Sequence, residues 1–478
     1  MNSAYKKLGI NIFMFSISSF GTKIIGFLLV PLYTNYLSTA EYGTADMLST
    51  ILSILIPIFS IDIADGVIRY VLDKRYEPSS VLHVALKTIS LGSIALLILL
   101  MCVRLTGLID VPDFYYIYLF FSFVSTCLYN TFVNYLKGKE RITVLVVAGL
   151  MCSLLNAGCN ILFLTKLGWG VNGYLLASIL STTIPTLYLI ICAGHYGYLK
   201  FKDIRTDKGL QKQMLIYSAP LILNGLAWWV NNSLDRVFVT AICGVSSNGL
   251  LAIAYKIPSI LSMLQTIFNQ AWSLSAIQEF DSEDKSGFTG KVYSYYGCAM
   301  TISCSVILLF NIFLAQILYA NDFFVAWKYT GMLIIANLFG GMSVCISAVF
   351  NAVKDTKTLA MTTAIGGVAN TILNAMMIPV LGVQGAVIAT MISNVVVWLW
   401  RMRKVRSYIT LKIHLARDVA SYVLVIIQCI MGLTESHLYV IQALIGMCII
   451  LLYKSELQHI CHFIKTRLLK KVERNKEN

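Results

Sequence analysis

Apolar runs long enough to cross a membrane recur from one end of the 478-residue chain to the other, separated by short polar connections. About 20 apolar residues in a helix cross a hydrocarbon core roughly 30 Å thick. The pattern therefore predicts helices over residues 9–34, 43–69, 80–103, 114–136, 143–165, 171–192, 213–241, 248–275, 294–319, 327–350, 358–380, 383–400, 418–434 and 437–453. That is an all-α polytopic membrane protein of about fourteen transmembrane helices. No connection is long enough to fold alone, so function has to lie in the helices and short loops. The first run is too long for a signal-peptide core and lacks a small-residue cleavage site, so it reads as the first span.

Composition agrees: 58% of residues are apolar and 13% charged, against about 25% charged in a soluble domain, and mean hydropathy is +0.75. An ordinary soluble enzyme is excluded. The net charge of +14 would suit nucleic acid if the basic residues formed a patch, but their placement follows topology instead. Lys6, Lys7, Lys74, Arg75, Lys137, Lys139, Arg141, the Lys200–Lys212 loop, the Arg401–Arg417 loop and the tail after Lys454 fall on one face. By the positive-inside rule, about 30 basic residues there against Arg104, Lys166 and Lys328 opposite put both termini in the cytoplasm. Most cysteines, such as Cys102, Cys127, Cys152, Cys159, Cys298, Cys304 and Cys345, lie inside apolar runs with no Cys-x-x-Cys pattern, and read as small packing residues. There is no Walker A motif and no His-Glu-x-x-His, and His459-Ile-Cys-His462 lacks the three or four ligands of a metal site. No cofactor and no metal are expected.

The second half echoes the first. Asn156 and Asn160 before Gly170-Val171-x-Gly173, Ala177 and Ser181 recur as Asn370 and Asn374 before Gly382-Val383-x-Gly385, Ala389 and Ser393. The same six-span offset aligns the loop Leu37–Ala45 with Cys243–Leu251 and sets Gly43 on Gly249. Six is even, so the halves share one orientation, as in transporters built from parallel repeats. The expected architecture is two pseudo-symmetric six-helix bundles around a central cavity, residues 1–200 and 201–406, followed by residues 407–478, which hold helices 13 and 14 and a basic cytoplasmic tail. That tail has Leu457, Ile460, Cys461, Ile464 and Leu468 at helical spacing among Lys and Arg, a pattern that fits either the anionic inner leaflet or a solvated helix.

Ionisable groups inside spans are costly unless they face a wet cavity or a partner. Lys23 lies near the middle of the first span, too deep to snorkel. Asp62, Asp65 and Arg69 share one face near the cytoplasmic end of the second span, with Asp65 and Arg69 spaced for an i,i+4 pair; they suit a polar gate, a headgroup site or a local salt bridge. Asp235 and Arg236, neighbours on the seventh span, point about 100° apart, and Lys256 at similar depth on the eighth is a candidate partner for Asp235, as a brace or as a gate. Lys87 reads as half of a structural pair. Asn224, Asn231, Asn232 and Gln270 suit sugar hydroxyls or interhelical bonds. Pro31, Pro57, Pro185, Pro220, Pro258 and Pro379 should bend their spans. Trp228, Trp229, Trp272, Trp398 and Trp400, with Tyr33, Tyr36, Tyr115, Tyr116 and Tyr118, fit interfacial belts.

The stretch Leu29-Val-Pro-Leu-Tyr-Thr-Asn-Tyr-Leu-Ser-Thr-Ala-Glu-Tyr-Gly43, followed by Arg69, resembles the opening of bacterial oligosaccharide flippases (Wzx-type polysaccharide and O-antigen exporters) of the multidrug/oligosaccharidyl-lipid/polysaccharide exporter superfamily. Asp235-Arg236, Gly244, Gly249, Ala254-Tyr-Lys-Ile257 and Gln270-Ala-Trp272 resemble the seventh and eighth spans of that family. The resemblance runs over essentially the whole chain. It implies alternating-access transfer of an undecaprenyl-pyrophosphate-linked oligosaccharide to the outer leaflet of the bacterial cytoplasmic membrane. The pyrophosphate would be met by cations such as Lys23, Arg69, Arg236 and Lys256, with Asn224 and Gln270 beside them and Asp62, Asp65 and Asp235 as gate or coupling carboxylates. Proton or sodium coupling is implied by analogy, and polysaccharide polymerase and glycosyltransferases are the implied partners, with no nucleic acid. The scarcity of intramembrane arginines argues against a peptidoglycan precursor. A drug or cation exporter of the same superfamily, favouring the carboxylates, is the nearest alternative. A membrane enzyme or scaffold of polysaccharide assembly is the alternative from another class, against which the short outer loops count.

Overall fold

The computed structural model describes residues 21, 23–73, 75–107, 110–198, 208–278, 287–433 and 438–459. All regular structure among them is helical. In chain order the helices are α1 Val30–Tyr36, α2 Thr39–Ser60, α3 Ile63–Val71, α4 Pro78–Thr106, α5 Asp113–Gly138, α6 Ile142–Asn160, α7 Gly170–His195, α8 Lys208–Cys243 and α9 Val245–Ala254. They continue as α10 Ser259–Gln278, α11 Phe288–Leu309, α12 Asn311–Leu318, α13 Trp327–Ala352, α14 Thr356–Leu381, α15 Val383–Val405, α16 Leu415–Gly432 and α17 Tyr439–Leu452. A π turn, Ile161–Lys166, extends α6, and a 3-10 turn, Asn321–Ala326, leads into α13.

Among the described residues, ten helical segments are long and apolar enough to cross a membrane, eleven if the bent pair Val245–Ala254 and Ser259–Asn269 is one span. This is a multi-pass membrane protein. The expected fourteen is not reached by length and apolarity, for local reasons. Half of the first predicted span, residues 9–20 and 22, lies outside the described residues. The seventh, within the 36-residue α8, carries Asn224, Asn231, Asn232, Asp235 and Arg236. The eighth is broken by a 50° bend, and α17 has only 14 residues.

Two compact units divide the chain, Met1–Ala252 and Ile253–Asn478. In the first, α6 and α5 both pack on α7, and in the second, α14 and α13 both pack on α15. These are corresponding spans of the repeat, so the duplication is visible in packing as well as in sequence. The core of the first unit is built from Val81, Leu82, Leu96, Phe123, Tyr135, Leu136, Leu175 and Leu189, all nearly fully buried. Leu91, Ile94, Ile98 and Met101 instead form an exposed stripe on α4 at helical spacing, the apolar face a helix turns towards lipid. In the second unit α16 and α17 pack on α11. Arg417 pairs there with Asp418 at 2.8 Å and with Glu456, while the Tyr453 hydroxyl donates to Asp418 at 3.2 Å.

Tryptophan placement departs from the interfacial expectation at three positions. Trp272 and Trp398 are buried; Trp272 Nε1 donates to the Cys345 carbonyl at 2.9 Å and Trp398 Nε1 to the Tyr293 hydroxyl at 3.1 Å. Trp229 Nε1 donates to the Thr50 carbonyl at 2.9 Å. An indole can be buried where its N–H finds an acceptor, and each of these does. Among the expected packing cysteines, Cys127, Cys298, Cys304 and Cys345 are buried and free, whereas Cys102 is exposed.

Candidate functional site

The second span, expected as one helix, is broken between α2 and α3. Pro57 deprives the Ser53 carbonyl of its helical partner, and Ile61 and Asp62 then take left-handed backbone angles, φ 56° and 47°. Two consecutive non-glycine residues in that region store strain that the surroundings must hold. Asp62 thus sits in the break, half-buried, facing α8: a Cβ built on Gly225 would lie 3.2 Å from its Oδ2. Asp65 and Arg69 lie beyond it on α3, both exposed. Their spacing suggested an i,i+4 pair, but no ion pair joins them among the described residues, and exposed pairs of this kind gain little by closing.

At the opposite end of α2 the first unit gathers charged and polar groups from α2, α8 and α9. Asp46 accepts from Arg236 Nη1 at 2.9 Å and from Asn248 Nδ2 at 3.2 Å, and Asn248 also donates to the Gly43 carbonyl at 3.1 Å. Asn248 is wholly buried, and the Arg236 and Asp46 side chains are 26% and 15% exposed. Asp235, also buried, accepts from the Arg236 backbone amide at 2.9 Å. The closest approach lies beside this pair. A Cβ on Gly43 would fall 2.0 Å from the Val245 carbonyl oxygen, and one on Gly249 would fall 2.0 Å from that of Thr39. Ser38 caps α2 through a box with Glu41, whose second carboxylate oxygen accepts from the Val171 amide of α7 at 3.3 Å. The junction therefore pins three helix starts together. Asp46 had no counterpart among the residues expected from sequence. It stands about two turns inside α2, close to the start of the predicted span 43–69, where a lone aspartate reads as a span-end charge.

The remaining expected residues are dispersed. Lys23 lies in a helical stretch, residues 23–28, and is exposed. Lys87 meets a neutral partner instead of a carboxylate, donating to Gln211 Oε1 at 3.3 Å. Asn224 is exposed, whereas Asn231 and Asn232 donate to carbonyls of their own helix, Ala227 and Trp228. Lys256 falls in the break between α9 and α10, where the chain bends by 50°. It belongs to the second unit and Asp235 to the first, so their pairing stays a proposal. The Gln270 side chain and most of the amphipathic tail, residues 460–478, lie outside the described residues.

Each unit also holds a paired-amide cluster. Asn160 Nδ2 donates to Asn156 Oδ1 at 3.2 Å and Asn156 Nδ2 to Ser181 Oγ at 3.4 Å; Asn374 Nδ2 donates to Asn370 Oδ1 at 2.9 Å and Asn370 Nδ2 to Ser393 Oγ at 3.4 Å. The clusters tie α6 to α7 and α14 to α15. In the second unit Arg401, expected in a cytoplasmic loop, is buried in α15. Its guanidinium donates to Thr362, Ser343, Ser347 and Thr363 hydroxyls at 2.7–3.1 Å. No group of three or more His, Cys, Asp or Glu able to hold a metal occurs among the described residues.

A family model described as polysaccharide biosynthesis protein matches residues 8–273, more than half the chain. No curated protein matches. Among solved structures, the chain is similar to one described as the lipid II flippase MurJ in an inward closed conformation, with TM-score 0.70 and 16% identity over 94% of this chain and 99% of that one. It is also similar to an inward-facing multidrug resistance MATE family transporter of the MOP superfamily, with TM-score 0.62 and 15% identity over 81% and 95%. An outward-facing MATE family structure gives TM-score 0.53 and 16% identity over 84% and 95%. At these identities the likeness is one of fold.

Proposed function

The chain belongs to the polysaccharide biosynthesis protein family, and from that premise we propose that it is a flippase, carrying a lipid-linked oligosaccharide from the cytoplasmic to the outer leaflet by alternating access. The observation that carries the proposal is the family match over residues 8–273, a stretch that includes Lys23, Arg69, Arg236 and Lys256. A pyrophosphate brings about two negative charges into a region of low dielectric, where cations are its natural partners. Lys23 and Arg69 are exposed side chains of the first unit, and their charge suits such a group. Both termini are then cytoplasmic, the membrane is the bacterial cytoplasmic membrane, and the repeat halves 1–200 and 201–406 are the transport bundles. An undecaprenyl carrier fits this reading, with Asp62, Asp65 and Asp235 as the carboxylates available for gating or ion coupling.

The crowded junction of α2, α8 and α9 has a role in this cycle. It closes the outer end, and the Asp46–Arg236 ion pair must part when the cargo leaves. The charged contact gives the closed state its register while remaining cheap to open, since partly exposed ion pairs contribute little.

The test is the leaflet location of the lipid-linked oligosaccharide in cells, read by an impermeant glycan-modifying reagent and mass spectrometry. Deletion should trap the glycan in the inner leaflet. Lys23→Ala should do the same at normal membrane levels. An unchanged location on deletion, with altered sensitivity to cationic drugs, would replace this reading with that of a cation exporter.

A further inference from the structure

In the second unit, α15 and α16 follow one another in the chain yet meet only locally, where Trp398 touches Tyr422: α15 lies on α13 and α14, and α16 on α11, α17 and, less closely, α13. Between them runs an open groove of about 1170 Å³. Its walls are apolar, with Leu399, Trp400, Val419 and Val423 well exposed, over a floor of Phe339 and Trp398. At one end stand Arg403, Lys404 and Arg406, and among the described residues no acidic side chain lines the groove. The Arg403 and Arg406 guanidinium groups make no hydrogen bond or ion pair with any described residue, whereas Lys404 acts electrostatically on Asp355.

We propose that this groove binds one anionic membrane phospholipid of the phosphatidylglycerol type, its phosphate against Arg403 and Arg406 and its acyl chains between α15 and α16. Three physical points carry it. Among the described residues no segment fills this apolar cleft, and inside a bilayer lipid chains are what surround it. Two unpartnered cations at its mouth select an anionic headgroup, because basic clusters beside a membrane helix attract anionic lipid. Length selects the lipid class. The lining residues run from Val395 on α15 to Arg406 just past its end, and from Leu415 to Ile426 on α16, each about 17 Å at 1.5 Å per residue, close to one leaflet of a hydrocarbon core roughly 30 Å thick. Phospholipid acyl chains fit that depth; a long polyprenyl chain overshoots it. This lipid is a resident of the protein and distinct from the transported cargo, so the proposal stands or falls separately from the flippase reading.

The experiment is native mass spectrometry of the full-length chain, with phosphatidylglycerol and phosphatidylcholine of matched chains offered in equal amounts. The wild type should retain phosphatidylglycerol at least tenfold over phosphatidylcholine. The double variant Arg403→Gln, Arg406→Gln should lose that preference, and removing the same number of charges at Lys137→Gln, Lys139→Gln should leave it intact. Val419→Trp, which fills the groove without touching its charges, should lower retention of both lipids, so a failure of one variant to fold leaves the other to decide. Equal retention of the two lipids by the wild type would overturn the proposal. So would undiminished preference in the Arg403/Arg406 variant, an equal fall in the Lys137/Lys139 variant, or preferential retention of a polyprenyl phosphate or an apolar helical peptide.

Discussion

Gly43 and Gly249 are counterparts in the repeat and they touch: a Cβ on Gly43 would lie 2.8 Å from the Gly249 nitrogen, and one on Gly249 would lie 3.1 Å from the Gly43 nitrogen. The duplicated loop has thus been placed against its own copy. Only hydrogen at both positions lets the starts of α2 and α9 approach this closely, because the nearest atoms are backbone and cannot rotate away.

Gly43→Ala and Gly249→Ala should each force the two helices apart, costing about 1–3 kcal/mol as overpacking does, and should lower glycan export at normal membrane levels. Thermal unfolding of the purified protein and the leaflet assay check the two parts. An alanine variant with unchanged unfolding temperature would mean that the close approach is not maintained in the membrane.

For the neighbouring ion pair, Asp46→Asn and Arg236→Gln should be non-additive. The double-mutant cycle should return a coupling of about 1 kcal/mol, kept modest because both side chains are partly exposed. Exchange of the charges, Asp46→Arg with Arg236→Asp, should recover more transport than either single reversal. Additive effects would show that the contact contributes nothing of its own.

Arg401 offers a test confined to the second unit. Lysine keeps the charge but not the planar fork that reaches hydroxyls on two helices, so Arg401→Lys should cost about 2 kcal/mol. Arg401→Met removes the buried charge along with its bonds and should cost less. Thermal unfolding of the two variants side by side ranks them, and the reverse order would assign Arg401 an anionic partner.

Asp355 caps α14, accepting from the Thr358 amide at 3.0 Å and from the Tyr408 hydroxyl at 2.6 Å. Those bonds from Thr358 and Tyr408 hold its carboxyl below the ordinary carboxylate range. A carboxyl depressed in the folded state stabilises above its unfolded pKa, about 3.9, and loses that contribution as pH falls through the depressed value. The unfolding temperature of the wild type should therefore exceed that of Asp355→Asn by a constant margin from neutral pH to about pH 5, a margin that vanishes on further acidification. A margin independent of pH would remove the carboxylate charge from the account.

Much of this was legible in the chain, and what was not has identifiable causes. The asparagine pairs marked the repeat because an amide in an apolar run has to find a partner, and the two copies found equivalent ones. Run length alone could not show the breaks at Ile61–Asp62 and Tyr255–Pro258, although Pro57 and Pro258 marked bends in those two spans. Asp46 and Arg401 were hidden for a shared reason: each lies within a turn or two of a span end, where a charge ordinarily means loop. Trp398 and Trp272 were misplaced because a tryptophan near a span end looks the same whether its N–H meets water or, as here, Tyr293 and the Cys345 carbonyl.

The two asparagine clusters consist of amides and hydroxyls, with no formal charge. A transmembrane voltage does work of about 2.3 kcal/mol per elementary charge per 100 mV, and on neutral groups it has almost nothing to act upon; a proton gradient likewise finds no group there that titrates. The seams between α6 and α7 and between α14 and α15 therefore stay fastened whatever the energetic state of the cell, and the electrical sensitivity of the protein is left to its few intramembrane lysines, arginines and aspartates.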